Sequence, residues 1–241
     1  MISELKAYYK NNGILSTSFT CKYKSQCESS SKQFTGPKSS FISTGYEEGI
    51  LPRLLFLSLD SGKGHEDPKM RLPLSVRKRM QAVDVLSIPK NRHWYRTHEL
   101  AWYLLRRFDQ NMTIEDTKFH FAHVNSAKCC MNKAGSKKAD RLLFKNCSGY
   151  LKEELSILSP NIIVTQGNEA KSAIQNLYEN STKQFDDYSS LIRFNNCKIF
   201  WLHTYHPSNW GAFNKQRNYD STKKIALGWE RYSKLAHRHI S

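Results

Sequence analysis

Leu54-Leu55-Phe56-Leu57-Ser58-Leu59-Asp60-Ser61-Gly62 is the stretch on which the fold turns. The apolar run is short and ends in Asp-Ser-Gly, so it reads as a buried strand entering a turn. Further along, Leu100, Ala101, Leu104, Leu105 and Phe108 recur at helical spacing, which predicts a helix over 97–110 with Thr97 as its N-cap and Glu99 in its first turn. Phe119–Val124 reads as a second strand and 139–158 as a long helix, with Leu142, Leu143, Tyr150, Leu151, Leu155 and Leu158 on one face. Asn161–Thr165 reads as a third strand, and Gly167 opens a helix through Tyr178. Leu191–Phe194 and Lys198–His203 are either a hairpin pair or one strand interrupted at Asn195-Asn196. A last helix is expected from about Ser221 to His237.

Strands alternating with helices predict a three-layer α/β/α fold around a central, mainly parallel four-stranded sheet. Such sheets place ligands beyond the carboxyl ends of their strands. Asp60, Asn125 and the His203/His206 group fall at those ends. Residues 1–50 look different: a short helical start at Leu5, Tyr8 and Tyr9 gives way to Ser-, Thr-, Lys- and Gly-rich sequence. The expected organisation is an N-terminal extension over 1–50 and an α/β/α domain over 51–241.

In 241 residues, 37 Lys and Arg stand against 21 Asp and Glu, a net charge of +16. That excess points to nucleic acid as the first candidate partner and an acidic membrane surface as the second. Hydrophobic residues make up 39%, enough for a core, which excludes a disordered basic tail. No run approaches the ~18 apolar residues of a membrane span. The start, Met1-Ile2-Ser3-Glu4-Leu5-Lys6, lacks the layout of a secretory signal, so a cytoplasmic monomer is expected. Six cysteines without an export signal argue against a disulfide framework and toward a metal, a cluster or core thiols.

Taken in order, these segments resemble the uracil-DNA glycosylase superfamily, most closely its iron–sulfur, family 4-like branch. The resemblance runs from about residue 50 to 240. Ser58-Leu59-Asp60-Ser61-Gly62 stands where the family has its first motif, a Gly-x-(Asp/Ala/Asn)-Pro-(Tyr/Gly) turn. Asn125-Ser126-Ala127-Lys128-Cys129 matches an Asn-x-x-Lys-Cys segment. Pro160 to Ala170 matches a strand running into Leu-Gly-x-x-Ala, and His206-Pro207-Ser208 matches the second motif. Departures are clear: Ser58 replaces a Gly, Ser61 a Pro, and Leu59-Asp60 the Glu-Ala of the iron–sulfur branch. Gly62 stands where the best-known uracil-excising branch has a Tyr that blocks C5 substituents, which leaves that side open.

The resemblance implies a monofunctional DNA glycosylase that flips out uracil or a C5-modified pyrimidine and hydrolyses its bond to deoxyribose. A hypermodified phage cytosine, and with it antiphage defence, falls within that class. Bond cleavage builds positive charge on the sugar and negative charge on the base, so Asp60 is the expected carboxylate at the sugar and His206 the expected donor to the pyrimidine O2. Asn125 offers a donor and an acceptor side by side for the base edge. Gly62 and Tyr95 are further base-pocket candidates, with Trp94 as an alternative stacking platform. Flipping costs a few kcal/mol. Ser208, Trp210, Lys215 and Arg217 are the expected grip on the DNA, duplex or single-stranded. No lysine is placed in the sequence for a lyase step. The alternative is a non-catalytic or covalently trapping DNA-binding relative of the same fold.

The branch also implies four thiolates on a [4Fe–4S] cluster, arranged as an N-terminal pair plus a distant pair. Cys21 and Cys27 supply the first, with five residues between them where two are usual. Cys129 and Cys147 supply the second, with Cys130 a rival to Cys129. Zinc on the same four thiols is the competing metal, and uncoordinated thiols a third possibility. Cys197 is expected in the core.

Overall fold

The computed structural model describes residues 1–29, 34–61, 67–131, 141–178, 181–207, 219–220 and 225–240. Its centre is a seven-stranded sheet. The strands are β2 (Phe41–Ile42), β3 (Leu54–Asp60), β4 (Phe121–Ala127), β6 (Ile162–Gln166), β7 (Ser181–Gln184), β8 (Ser189–Phe194) and β9 (Cys197–Thr204). They lie in the order β2-β4-β3-β6-β9-β8-β7. The four inner strands, β4-β3-β6-β9, are mutually parallel, and β2, β8 and β7 add antiparallel edges. The expected parallel core of four is therefore present within a wider sheet. Of the added strands, β2 has two residues and β7 is polar, so neither stands out in sequence, while β8 contains the expected Leu191–Phe194 run. Two further ladders pair β1 (Phe34–Thr35) with β5 (Cys130–Met131) and β10 (Tyr219–Asp220) with β11 (Ile225–Ala226).

Each inner strand is apolar on both faces, as a strand covered by helices on both sides must be. Leu55, Leu57, Val124 and Ile163 face one layer, made by α1 (Ile2–Asn11), α6 (Arg141–Leu158) and α7 (Asn168–Gln175). Leu54, Phe56, Phe121, Val164 and Leu202 face the other, made by α4 (Pro73–Gln81), α5 (His93–Leu105) and the last helix, α8 (Leu227–Ile240). Two short helices, α2 (Lys24–Ser29) and α3 (Thr44–Glu48), belong to the N-terminal segment. That segment is less separate than its composition suggests. Ile2, Leu5, Tyr9, Ile14 and Leu15 are buried in the first layer's core. Each such side chain contributes roughly 1.5–3 kcal/mol when fully buried.

Several details differ from the sequence reading: β4 runs over Phe121–Ala127 rather than 119–124, and the last helix starts at Leu227 rather than near Ser221, after the short strand β11. The first long helix starts at His93, four residues before the expected cap, and Thr97 lies inside it. The Thr97 hydroxyl donates to the His93 carbonyl (3.1 Å), the back-bond that lets a β-branched hydroxyl residue sit in a helix interior. Cys197, expected in the core, is exposed. It follows a tight turn in which Asn195 (φ 46°) and Asn196 (φ 63°) both adopt left-handed backbone. That turn resolves the Leu191–His203 region as a hairpin. Among the described residues no helix is long and apolar enough to cross a membrane.

Candidate functional site

Strand alternation sorts the polar side chains at the carboxyl end of the sheet. Ser58 and Asp60 on β3, His123 and Asn125 on β4, and Gln166 on β6 share the parity of Phe56, Phe121 and Val164, so they line the α5 side. His203 has the opposite parity. It lies on the other face, where Nδ1 is 3.1 Å from the Thr165 hydroxyl and its ring stacks on Tyr188. Of the two histidines at the carboxyl end of β9, His206, just beyond the strand, turns toward the α5 side. Its turn is held by Arg96 of α5, which donates to the Pro207 carbonyl.

Asp60 and His206 come together there. The Asp60 carboxylate raises the proton affinity of His206, while burial lowers it more, and the net pKa lies below the ordinary 6.5. His206 is therefore a neutral imidazole at pH 7, with one N–H to donate. Both side chains keep partial access to solvent. The His206 ring stacks on His93 at 5.2 Å between centroids. His93 in turn meets His123 edge-on at 6.1 Å. Burial first, then His206, holds His93 down at about 4, so it too is neutral. His123 is pushed further below the usual range, chiefly by burial.

A hydrogen-bonded chain fixes the floor. The Ser58 hydroxyl donates to Gln166 Oε1 (2.6 Å), which leaves Ser58 Oγ to accept from His123 Nε2 at 2.8 Å. Gln166 Nε2 donates to Thr97 Oγ1 (3.1 Å). Four elements are thus tied at one level, just beneath Asp60 and Asn125. Ser58, which departs from the glycine of the resembled motif, is the hub of this chain.

Asn125 is 4% exposed, and its carboxamide makes no hydrogen bond among the described residues. A carboxamide without a partner in the protein has a donor and an acceptor side by side to offer a ligand. Its backbone carbonyl accepts from Lys128 Nζ at 2.8 Å. Lys128 is ion-paired with Glu154, whose Oε1 also accepts from the hydroxyls of Tyr9 and Ser40. All four are buried, and they bind the N-terminal segment to the strand that carries Asn125.

Tyr95 stands apart on α5, its phenol pKa raised by burial and then by Glu99. Trp94, beside it, touches the site instead, with its ring 5.2 Å from His123 and in edge contact with Phe121. Gly62, Ser208, Trp210, Lys215 and Arg217 lie outside the described residues. His93 and Gln166 are site residues that the sequence reading passed over. His93 precedes the helix expected over 97–110, and Gln166 falls in a strand-to-helix junction. The only available signal was strand parity, which puts Gln166 in step with Ser58.

The cysteines gather on the first layer's side of β4. None of the six forms a disulfide. The thiols of Cys147, Cys27 and Cys21 act on Cys129, whose own pKa burial raises most. Cys27, Cys129, Leu143 and Ala127 form a small apolar cluster wrapped by Phe19, Tyr23, Phe34 and Phe144. N–H donors already point at sulfur: Lys128 N to Cys147 (3.4 Å), Asn146 Nδ2 to Cys27 (3.3 Å) and Tyr23 N to Cys21 (3.5 Å). Among the described residues no three His, Cys, Asp or Glu side chains form a closed metal-ligating group. Thiols are by donor type the ligands that soft metals and iron–sulfur clusters take. Cys130, buried next to Cys129, has its strand partner at Thr35, and the Arg71 guanidinium acts on both thiols.

The family model of the uracil DNA glycosylase superfamily matches residues 50–228. The chain belongs to this superfamily. No curated protein matches it. The matched range includes Asp60, Asn125 and His206 and begins after Cys21 and Cys27. The superfamily is one of DNA N-glycosylases, which fits the positive charge.

Proposed function

We propose that the protein is a DNA N-glycosylase that flips a pyrimidine out of DNA and hydrolyses its bond to deoxyribose, leaving an abasic site. The observation that carries this reading is the pairing of Asp60 and His206 across one partly open site at the carboxyl ends of β3 and β9. The Asp60 carboxylate stabilises the cationic sugar and orients water. His206, neutral, donates to O2 of the departing base, and a donor aimed at developing negative charge is worth on the order of 3 kcal/mol. Asn125 supplies the unpaired amide that reads the base edge. The substrate is uracil or a C5-modified pyrimidine, the latter supported by the glycine at position 62. Tyr95, Ser208, Trp210, Lys215 and Arg217 are proposed to contact the flipped base or the strands.

The four thiols Cys21, Cys27, Cys129 and Cys147 are proposed to hold a [4Fe–4S] cluster, as in the iron–sulfur branch, with zinc as the other metal suited to them. When bound, the group supplies a crosslink between the N-terminal segment and β4–α6. Iron and acid-labile sulfide at four each per chain would support the cluster. Zinc at one per chain, with no sulfide, would replace it.

An excision screen tests the function. Duplexes and single strands carrying uracil, 5-substituted uracils and hypermodified cytosines are incubated with protein, then treated with alkali. Breaks at one or more bases are expected, and cleavage of a phage-type cytosine would link the activity to defence. Absence of breaks on all of them would remove the enzyme and leave a DNA-binding relative.

A further inference from the structure

We propose that a cleft between α7 and the β8–β9 hairpin is a second binding site, and that it takes a free mononucleotide. The cleft lies on the face of the sheet opposite Asp60 and His206 and does not depend on the glycosylase reading.

It encloses about 350 Å³, near the lower end of the roughly 300–1,000 Å³ of small-molecule sites. That is room for one nucleotide rather than a strand. Strand alternation builds one wall. Trp201 and His203 of β9 point away from the side taken by Phe200 and Leu202, and Ser190 of β8 is the register partner of Trp201. Lys171 of α7 and Tyr178, three residues beyond that helix, form the other wall.

The groups left without partners on these walls are donors. Tyr178 is 8% exposed, and its hydroxyl has no hydrogen-bond partner among the described residues. Burial pushes the phenol well above its usual range, so it keeps its proton. The buried Ser190 hydroxyl bonds nothing among the described residues. His203 is neutral at pH 7, held at about 4 by burial and then by Lys171. Its tautomer follows from Thr165, whose Oγ1 accepts from Trp201 Nε1 (3.1 Å) and lies 3.1 Å from His203 Nδ1. The Thr165 proton has no other acceptor among the described residues, so it goes to Nδ1, and the imidazole proton sits on Nε2. Nε2 makes no hydrogen bond among the described residues, and Lys171 Nζ makes neither a hydrogen bond nor an ion pair there. Three neutral donors and an ammonium converging on one cleft call for a ligand rich in anionic acceptors, such as a phosphate.

Aromatic rings stand beside these donors. Tyr188 stacks on His203 at 6.2 Å and 14°, and its carbonyl accepts from His203 N (2.7 Å). Trp201 is partly exposed on the lining. Such rings stack on any nucleobase, because every base has a π-face. The lining carboxylates do not oppose an anion. Asp186 is spent on Tyr188 N, Ser189 N, Ser189 Oγ and the Arg231 guanidinium, and Asp187 is exposed, where solvent screens it. A planar heterocycle carrying a phosphate meets both halves of the cleft.

Calorimetric titration of the full chain with dAMP and dTMP tests this, with no DNA present and no excision needed. Both should bind at one per chain. Deoxyadenosine, which lacks the phosphate, and inorganic phosphate, which lacks the base, should each bind about tenfold more weakly or worse. Tyr178→Phe removes one hydroxyl and should weaken dAMP about tenfold. Lys171→Met should weaken dAMP at least as much while leaving deoxyadenosine unchanged. Asn125→Ala should bind dAMP as the wild type does, because Asn125 lies on the other face. If Tyr178→Phe does not fold, the half-exposed Lys171 decides. No binding of either mononucleotide at millimolar concentration, unchanged affinity in the cleft variants, or loss of binding in Asn125→Ala would overturn the proposal. Phosphate binding as tightly as dAMP would also overturn it, since the cleft would then hold an anion only. Mononucleotide binding by a protein that excises nothing refutes the glycosylase alone, and excision by a protein that binds no mononucleotide refutes the second site alone.

Discussion

Lys128→Met and Glu154→Leu each remove one half of an ion pair whose members are 2% and 0% exposed. The remaining charge is left in the core. In Lys128→Met the carboxylate keeps only the Tyr9 and Ser40 hydroxyls, and in Glu154→Leu the ammonium keeps only the Asn125 carbonyl. Breaking a buried pair in this way costs about 3–5 kcal/mol. For a domain of 150–250 residues each kcal/mol moves Tm by about 2–4 °C, so each variant should melt roughly 6–20 °C lower. The double variant, with apolar groups of similar volume and no stranded charge, should melt above either single. Thermal and urea unfolding followed by circular dichroism reads all three. Because Lys128 also holds the Asn125 carbonyl, the double variant should recover stability yet bind substrate DNA more weakly. Single variants within about 2 °C of wild type, or a double variant as unstable as the sum of the singles, would refute the reasoning.

Stability should fall in acid through the buried histidines. Burial holds His93 and His203 at about 4 and His98 at about 3 in the folded protein. Unfolded chains take up these protons near 6.5, so the folded state is disfavoured progressively as pH drops from 6.5 toward 4, by up to about 2 kcal/mol per histidine at pH 5. Urea midpoints at pH 7, 6 and 5 should decline in that order, and a flat series contradicts the burial argument. Asn125→Ala should slow excision of the preferred base about tenfold or more while leaving binding to an abasic duplex unchanged, because only the base edge loses partners. Equal loss on both DNAs would remove Asn125 from the base pocket. Ser58→Ala breaks the chain through His123 and Gln166 and should reduce single-turnover excision with little change in Kd. An unchanged rate would show that the floor positions nothing.

The inner strands were legible because burial on both faces leaves short apolar runs with polar ends, and Asp60 and His206 fall at those ends. The long helix expected over 139–158 is observed as Arg141–Leu158, since its apolar stripe spans five turns. What the sequence hid depends on contacts between distant segments. His93 belongs to α5 because His206 and the sheet hold it there, not because its neighbours favour a helix. Residues 36–39 sit in a Ser- and Lys-rich stretch with no periodicity, and their backbone is held by hydrogen bonds to Arg71 and Lys128. Helix α1 showed its apolar face, but nothing local revealed that Tyr9 reaches Glu154. Cys197 misled because the strand after it is apolar while the residue itself ends a tight turn.

The account stands or falls on Asp60 and His206 acting on one nucleotide. Single-turnover excision of the best substrate by wild type, Asp60→Asn and His206→Ala tests this directly, with duplex affinity measured alongside. Each variant should lose about 10²–10³-fold in rate while still binding DNA. Rates within a few-fold of wild type for either variant, on a base that the wild type demonstrably removes, would contradict it.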